Sequence, residues 1–280
     1  MRWEDKSVAL TAEGRALTEA NGVLQLQLAA QAAAVSLNLW DQLQQAHLDA
    51  SSIDWLAMNT ALASKFYDQS VATTSAYISA YRTAEIGTDA SPIVTPAFDS
   101  ALTAQILLVA GPIRVKNLVA SGMSGSAALA AARNGFAGMM RRQVLMGGRE
   151  TIDLTTSHDQ QAIGWRRVSD GNPCAFCAML CSRGPVYRSR ASAGDDPVAG
   201  DGMHFHSHCG CHAEIVYGEW IPTKQEQGFI DTYNQAARQA NAAGFARTQE
   251  SVLPRMRANG DFRDSPSVRN TRTTQSGQDG

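Results

Sequence analysis

The chain has 280 residues, room for roughly two domains, and at 44% apolar and 18% charged it can bury a sizeable core. A net charge of −2 excludes a general nucleic-acid coat protein and leaves only local basic patches. No apolar run is expected to reach the roughly 18–20 residues of a bilayer span, since Gln25, Gln27, Gln31 and Asn38 interrupt VLQLQLAAQAAAVSLNLW.

The start, MRWEDKSVAL, has no basic segment leading into an apolar one, so no secretion signal is expected. Residues 13–48 are predicted as a long helix. Leu24, Leu28, Ala32, Val35, Leu39 and Leu43 recur at spacings of four and three, which puts them on one face. A break is expected at DASS (49–52), then a second helix over 53–84 with Leu56, Ala63, Tyr67, Val71 and Ile78 on a stripe. GTDASPIVTP (87–96) reads as a loop. Two shorter helices, 97–109 and 112–122, are expected to be split at Gly111-Pro112. SGMSGS (121–126) lacks the lysine of a phosphate-binding loop and reads as a helix start. The next helix, 124–146, aligns Leu129, Phe136, Met140 and Val144, and the paired glycines of MGGRE are expected to cap it.

The character changes after Gly148. IGWRRVSDGNP reads as a short strand and turn, CAFCAMLCSRG as a helical turn, GPVYRSR as a strand, ASAGDDPVAGDG as a loop and MHFHSHCGCHAEIVY as a strand-like run. Helices are predicted over 223–241 and 248–258, and the polar end is expected to be disordered. The fold class is therefore α+β. A mainly helical region (1–148) precedes a small Cys/His module (149–220), C-terminal helices (221–262) and a tail (263–280). From Ala236 onward seven arginines face four acidic residues, a local basic bias.

All five cysteines and four of the six histidines fall within residues 174–212. In a reducing cytoplasm such clustering favours metal ligation over disulfides. Cys174-Ala-Phe-Cys177 can bite one Zn²⁺, and a module of about 70 residues is small enough to need such a staple. Cys209, Cys211 and His206 compete for the two remaining places of a tetrahedral site, so four of these five residues are expected to bind the metal. If 203–212 is extended, His204, His206 and His208 share one face and Cys209 and Cys211 the other; a turn at Gly210 would change this. Cys181 has no paired spacing and is read as core. A redox C-x-x-C, a disulfide and plain buried thiols remain alternatives. A catalytic zinc would need an open position and a base, and H-E-x-x-H is not present. The sequence also lacks G-x-S-x-G, a P-loop and G-x-G-x-x-G.

WRRVSDGNPCAFCAMLCSRGPVY followed by FHSHCGCHAEIVY resembles the head-morphogenesis proteins of tailed phages. It is most similar to the minor head protein family of actinobacterial phages, often labelled capsid maturation protease, and more distantly similar to the phage Mu F-type minor capsid proteins. The C-x-x-C and H-x-x-C-x-C signature of the latter falls on Cys174, Cys177, His206, Cys209 and Cys211. The resemblance covers about residues 10–245. It implies a low-copy virion protein inside the capsid at or near the portal, assembled in the host cytoplasm. The partners it implies are the portal protein and the major capsid or scaffold protein. The protease label comes with the family name alone; no triad is evident, so the catalytic residues are unknown. A third reading is a zinc-containing nucleic-acid module, because Arg166, Arg167, Arg183, Arg188 and Arg190 flank the cysteines and could contact DNA.

Overall fold

The computed structural model describes residues 10–89, 92–187 and 205–266. The loop 191–202, His204, Arg188, Arg190 and the tail beyond 266 lie outside these residues. The chain divides into two compact units: Thr11–Asp159 with Ser189–Cys209, and Gln160–Arg188 with Met1–Leu10 and Gly210–Gly280.

The first unit is helical. Its long members are α1 (Ala12–Leu39), α2 (Leu48–Ile86) and α5 (Gly125–His158), which pack on one another, with α3 (Ser100–Leu108) and α4 (Arg114–Ala120) alongside. Thr11, Asp99 and Ser124 cap α1, α3 and α5 by accepting backbone N–H groups. At one end of the bundle Trp40, Trp55 and Phe136 form an aromatic cluster with ring centroids 4.8–5.8 Å apart.

Four features differ from the sequence expectations. First, α1 stops at Leu39 and two tight turns follow, so the break falls at 40–47 and DASS lies in the first turns of α2.

Second, the buried face of α1 follows the leucine stripe only in part: Ala32 is in the core, and Leu28 and Leu39 pack against it partly buried. Leu24 and Val35 are 48% and 43% exposed, whereas Thr18, Asn21, Gln25, Ala29, Ala32 and Ser36 are buried. Small residues let the helices approach, and Gln25, Ser36 and Thr18 find partners across the seam. Gln25 donates to Ser70 O (3.0 Å) and Thr74 Oγ1 (2.9 Å) and accepts from Ser70 Oγ (2.5 Å). Ser36 donates to Asn59 Oδ1 (2.6 Å), and the Thr18 and Tyr77 hydroxyls meet at 2.8 Å.

Third, Gly111-Pro112 does not split the helix. A wide π-type turn, Val109–Ile113, takes up the missing N–H of Pro112 and joins α3 to α4. Gly111 is required there because a Cβ would stand 2.7 Å from the Trp55 ring. Joined in this way, Ser100–Ala120 is 21 residues long and reaches the length and apolarity of a membrane span, contrary to the sequence expectation. A packed helix of a bundle meets the same test, and Leu107 and Val115 are fully buried here.

Fourth, Gly147-Gly148 does not end α5, which runs on to His158. The glycines sit where α5 crosses α2: a Cβ would lie 2.6 Å from Tyr67 O at Gly147 and 2.5 Å from Thr74 Oγ1 at Gly148.

The second unit is α+β. Strand β1 (Gly164–Val168) pairs antiparallel with β2 (His212–Val216), Arg166 lying opposite Glu214. Among the described residues, Tyr187 adds a single bridge to Trp165, and the described part of the run expected at 203–217 is strand over β2. Helix α6 (Ala175–Cys181) follows β1; α7 (Lys224–Ala242) and α8 (Gln249–Asn259) pack on each other after β2. The expected disorder from 263 begins too early: Arg263 N donates to Pro173 O (3.1 Å), and Ser265 is fully buried.

Two glycines of α5 provide a test. Gly147→Ala is expected to destabilise the helical unit by about 1–3 kcal/mol, because the added methyl meets a backbone carbonyl. Gly135→Ala, on the same helix with nothing within 4 Å of its Cβ position, is expected to stabilise by up to about 1 kcal/mol. Urea unfolding of both variants checks the opposite signs.

Candidate metal centre

The C-x-x-C spans the start of α6. Cys174 is the N-cap, and its Sγ accepts from Cys177 N at 3.5 Å. Within the α+β unit, Cys177 Sγ lies within 4.8 Å of Cys174 Sγ and of Cys211 Sγ. Cys209 and His206 belong to the helical unit. All five cysteines are buried and none forms a disulfide, whereas His206 is exposed. Soft thiolates are donors that suit a tetrahedral ion such as zinc, so the three cysteines of the α+β unit fit part of a metal site. Cys181 is 1% exposed, in the core as the sequence suggested.

The stretch Phe205–Cys209 is not extended. Cys209 N donates to His206 O (3.1 Å), and His208 has φ 65°, so the turn comes at Ser207-His208, ahead of Gly210. Within the helical unit, two buried arginines of α5 hold this turn by its carbonyls. Arg142 Nε donates to Phe205 O, and Arg149 Nη2 donates to Cys209 O at 2.9 Å. The Arg149 guanidinium also lies 3.8 Å over the Phe205 ring. His208 lies against Gly138, where a Cβ would overlap its imidazole. None of these supports was legible in the sequence, because nothing in the spacing links 138–149 to 205–209.

Arg166 anchors the sheet. Its Nε donates to Glu214 Oε1 at 2.7 Å and its Nη1 donates to Glu226 Oε1; all three side chains are buried. Glu226 also closes the capping box of α7, accepting from Thr223 N at 2.8 Å. Arg167 is fully buried too. These two arginines are therefore turned inward, so the alternative reading of a nucleic-acid module gains nothing from them; Arg183 is exposed.

For a Ser–His hydrolase, the contact to consider is Ser157 Oγ, 3.1 Å from His158 Nδ1. The Ser157 hydroxyl donates to Leu154 O at 2.8 Å, so its hydrogen is directed at the helix backbone rather than at the imidazole.

The C-terminal turn closes over α6. Asp264 Oδ1 accepts from Ala175 N (2.7 Å) and its Oδ2 from Arg257 Nε (2.6 Å). Partial burial raises the Asp264 pKa. The Arg257 hydrogen bond, the Ala175 N–H and the Arg257 charge outweigh that effect and hold it below its ordinary value of 3.8.

Residues 11–236 match the family described as VG15 protein. The chain belongs to the VG15 protein family. This is a viral gene family, and membership is consistent with a phage-encoded protein. No curated protein and no solved structure matches the chain. The matched region of this VG15 protein includes all five candidate ligands and ends within α7, before α8 and the turn that follows it.

Two measurements address these contacts. Arg166→Met leaves two carboxylates buried without their cation and is expected to cost roughly 3–5 kcal/mol of unfolding free energy, read by chemical denaturation. The depressed Asp264 carboxyl stabilises the fold above the ordinary carboxylate pKa, and this contribution is lost as pH falls through the lowered folded value. The stability gap between wild type and Asp264→Asn is therefore expected to be level at neutral pH and to narrow in acid below 3.8.

Proposed function

We propose that this VG15 protein is a minor head protein that acts at or near the portal during capsid assembly, and that a structural zinc ion staples its α+β unit. The observation that carries the reading is the approach of Cys211 to the Cys174–Cys177 pair within the α+β unit of a chain of a viral gene family. When bound, the zinc would cross-link segments that a small core holds weakly. Cys174 and Cys177 would be the first pair of ligands, with Cys209, Cys211 and His206 completing the sphere. The ion would supply stability rather than a nucleophile, since thiolate-rich sites are typically closed. Partners would be portal and capsid or scaffold subunits, engaged through the helical unit inside the shell.

Co-expression with the portal, scaffold and major capsid proteins of the same phage tests the role. Co-purification with portal, with scaffold and capsid chains left intact, is the expected result. Cleavage of either chain, abolished by a single Ser, Cys or His substitution, would replace this reading with that of a maturation protease.

Elemental analysis is expected to find about one zinc per chain. Cys174→Ser or Cys177→Ser should lower the melting temperature of the α+β unit while the helical unit keeps its own transition. Unchanged melting, or purified protein with no metal, would remove the staple.

A further inference from the structure

The backbone on each side of Cys174 is tied to the same short segment. Before it, Pro173 O accepts from Arg263 N at 3.1 Å. After it, Ala175 N donates to Asp264 Oδ1 at 2.7 Å. Ala175 N is one of the N–H groups at the start of α6 that have no partner within the helix, so a carboxylate there fixes the direction in which the helix starts.

The segment that provides these contacts is itself well braced. Asp264 Oδ2 is taken by Arg257 of α8. Ser265, fully buried, donates from its hydroxyl to Gly260 O (2.7 Å) and accepts from Phe262 N (3.1 Å). Phe262 is 4% exposed, and its ring centroid lies 6.3 Å from that of Phe229 on α7. A segment held only by packing would show none of this directed polar contact to one cysteine turn.

We propose that the turn 260–265, with α8 behind it, is a positioning clasp for the Cys174–Cys177 pair. Asp264 is its key residue. It acts through Ala175 and the start of α6, setting where the two sulfurs stand before any ion arrives. The clasp lies beyond the region that matches the family, which ends at residue 236. This chain therefore carries, in its own extension, a support for ligands that lie in the matched part. The use of the pair for metal rests on the zinc reading above; the clasp itself does not.

The test uses the full chain and follows each thiol separately. Wild type, Asp264→Ala and Asp264→Asn are treated with N-ethylmaleimide after metal removal, and modification is mapped by peptide mass spectrometry. Cys181, at the far end of α6, is the internal control. Buried thiols react through local opening, so the rates report how firmly each end of the helix is closed. Asp264→Ala is expected to speed modification of Cys174 and Cys177 at least about 10-fold with Cys181 unchanged. Asp264→Asn, which keeps an acceptor for Ala175 N, is expected to show a smaller increase. Zn²⁺ affinity, measured by competition with a chromogenic chelator, is expected to fall about 10–100-fold in Asp264→Ala, as it does when a supporting contact behind a ligand is lost.

Equal acceleration at Cys181, or no change at Cys174 and Cys177, would overturn the clasp. If Asp264→Ala does not fold, Asp264→Asn with the same internal control decides the question. Selective acceleration in a protein that binds no zinc would keep the clasp and sink the zinc reading. Tight zinc binding that the variants leave untouched would do the reverse.

Discussion

Arg166 is the constraint on which the α+β unit depends. A guanidinium buried this deeply is tolerated only with compensating charge, and here it has two carboxylates from different elements. Glu214 lies directly opposite it across the two-stranded sheet, so the ion pair and the strand register select each other. Glu226 belongs to the first turn of α7 and serves its capping box with its other oxygen. One cation therefore sets the pairing of β1 with β2 and the point at which α7 begins. The chain leaves β1 toward Cys174 and enters β2 from Cys211, so both approaches to the cysteines start from strands whose relative position Arg166 fixes.

The helical unit solves its packing in another way. Its central seam is closed by small residues and side-chain hydrogen bonds rather than by interlocking leucines. Each such bond adds about 1 kcal/mol when made and leaves a penalty of about 1–3 kcal/mol when one partner is missing. A seam of this kind gains modest stability but strong selectivity: a helix shifted along its neighbour would strand Gln25, Ser36 and Thr18 without their partners. The paired glycines of α5 bring a third helix against the same seam. Gly148 N donates to Ser70 Oγ (2.8 Å), the same hydroxyl that donates to Gln25.

Much of the architecture was readable from residue patterns, and the misses share a cause. Helix type was clear because apolar and small residues recur at helical spacing, and α7 and α8 lie within a residue or so of their expected limits. The C-x-x-C and C-x-C pairs stood out because ligand spacing is local. What escaped depended on contacts between distant segments. The leucines of α1 misled because hydrophobicity was taken to mark the buried face, while the partner helix offered hydrogen-bonding groups to Gln25 and Ser36. Gly147-Gly148 looked like a helix end because a lone sequence cannot show the backbone that crosses there. Asp264 sat in a polar stretch of apparent tail, and only the folded position of Ala175 N gives it a role. Arg166 and Arg167 stood among the basic residues that flank the cysteines, and only the fold puts Glu214 and Glu226 beside the first of them.

The wide turn at Val109–Ile113 bears on how this chain tolerates changes in length. Each α-helical residue advances about 100° around the axis, so Leu107 and Val115, eight positions apart, would point about 80° away from each other on a regular helix. A π-type turn absorbs about one extra residue, which brings them to within about 20° of a common direction, and both side chains are fully buried. The turn therefore stores one residue that the helix can lose without losing its phase. With one removed, a regular α-helix would hold the two side chains seven positions apart, still within about 20° of a common direction.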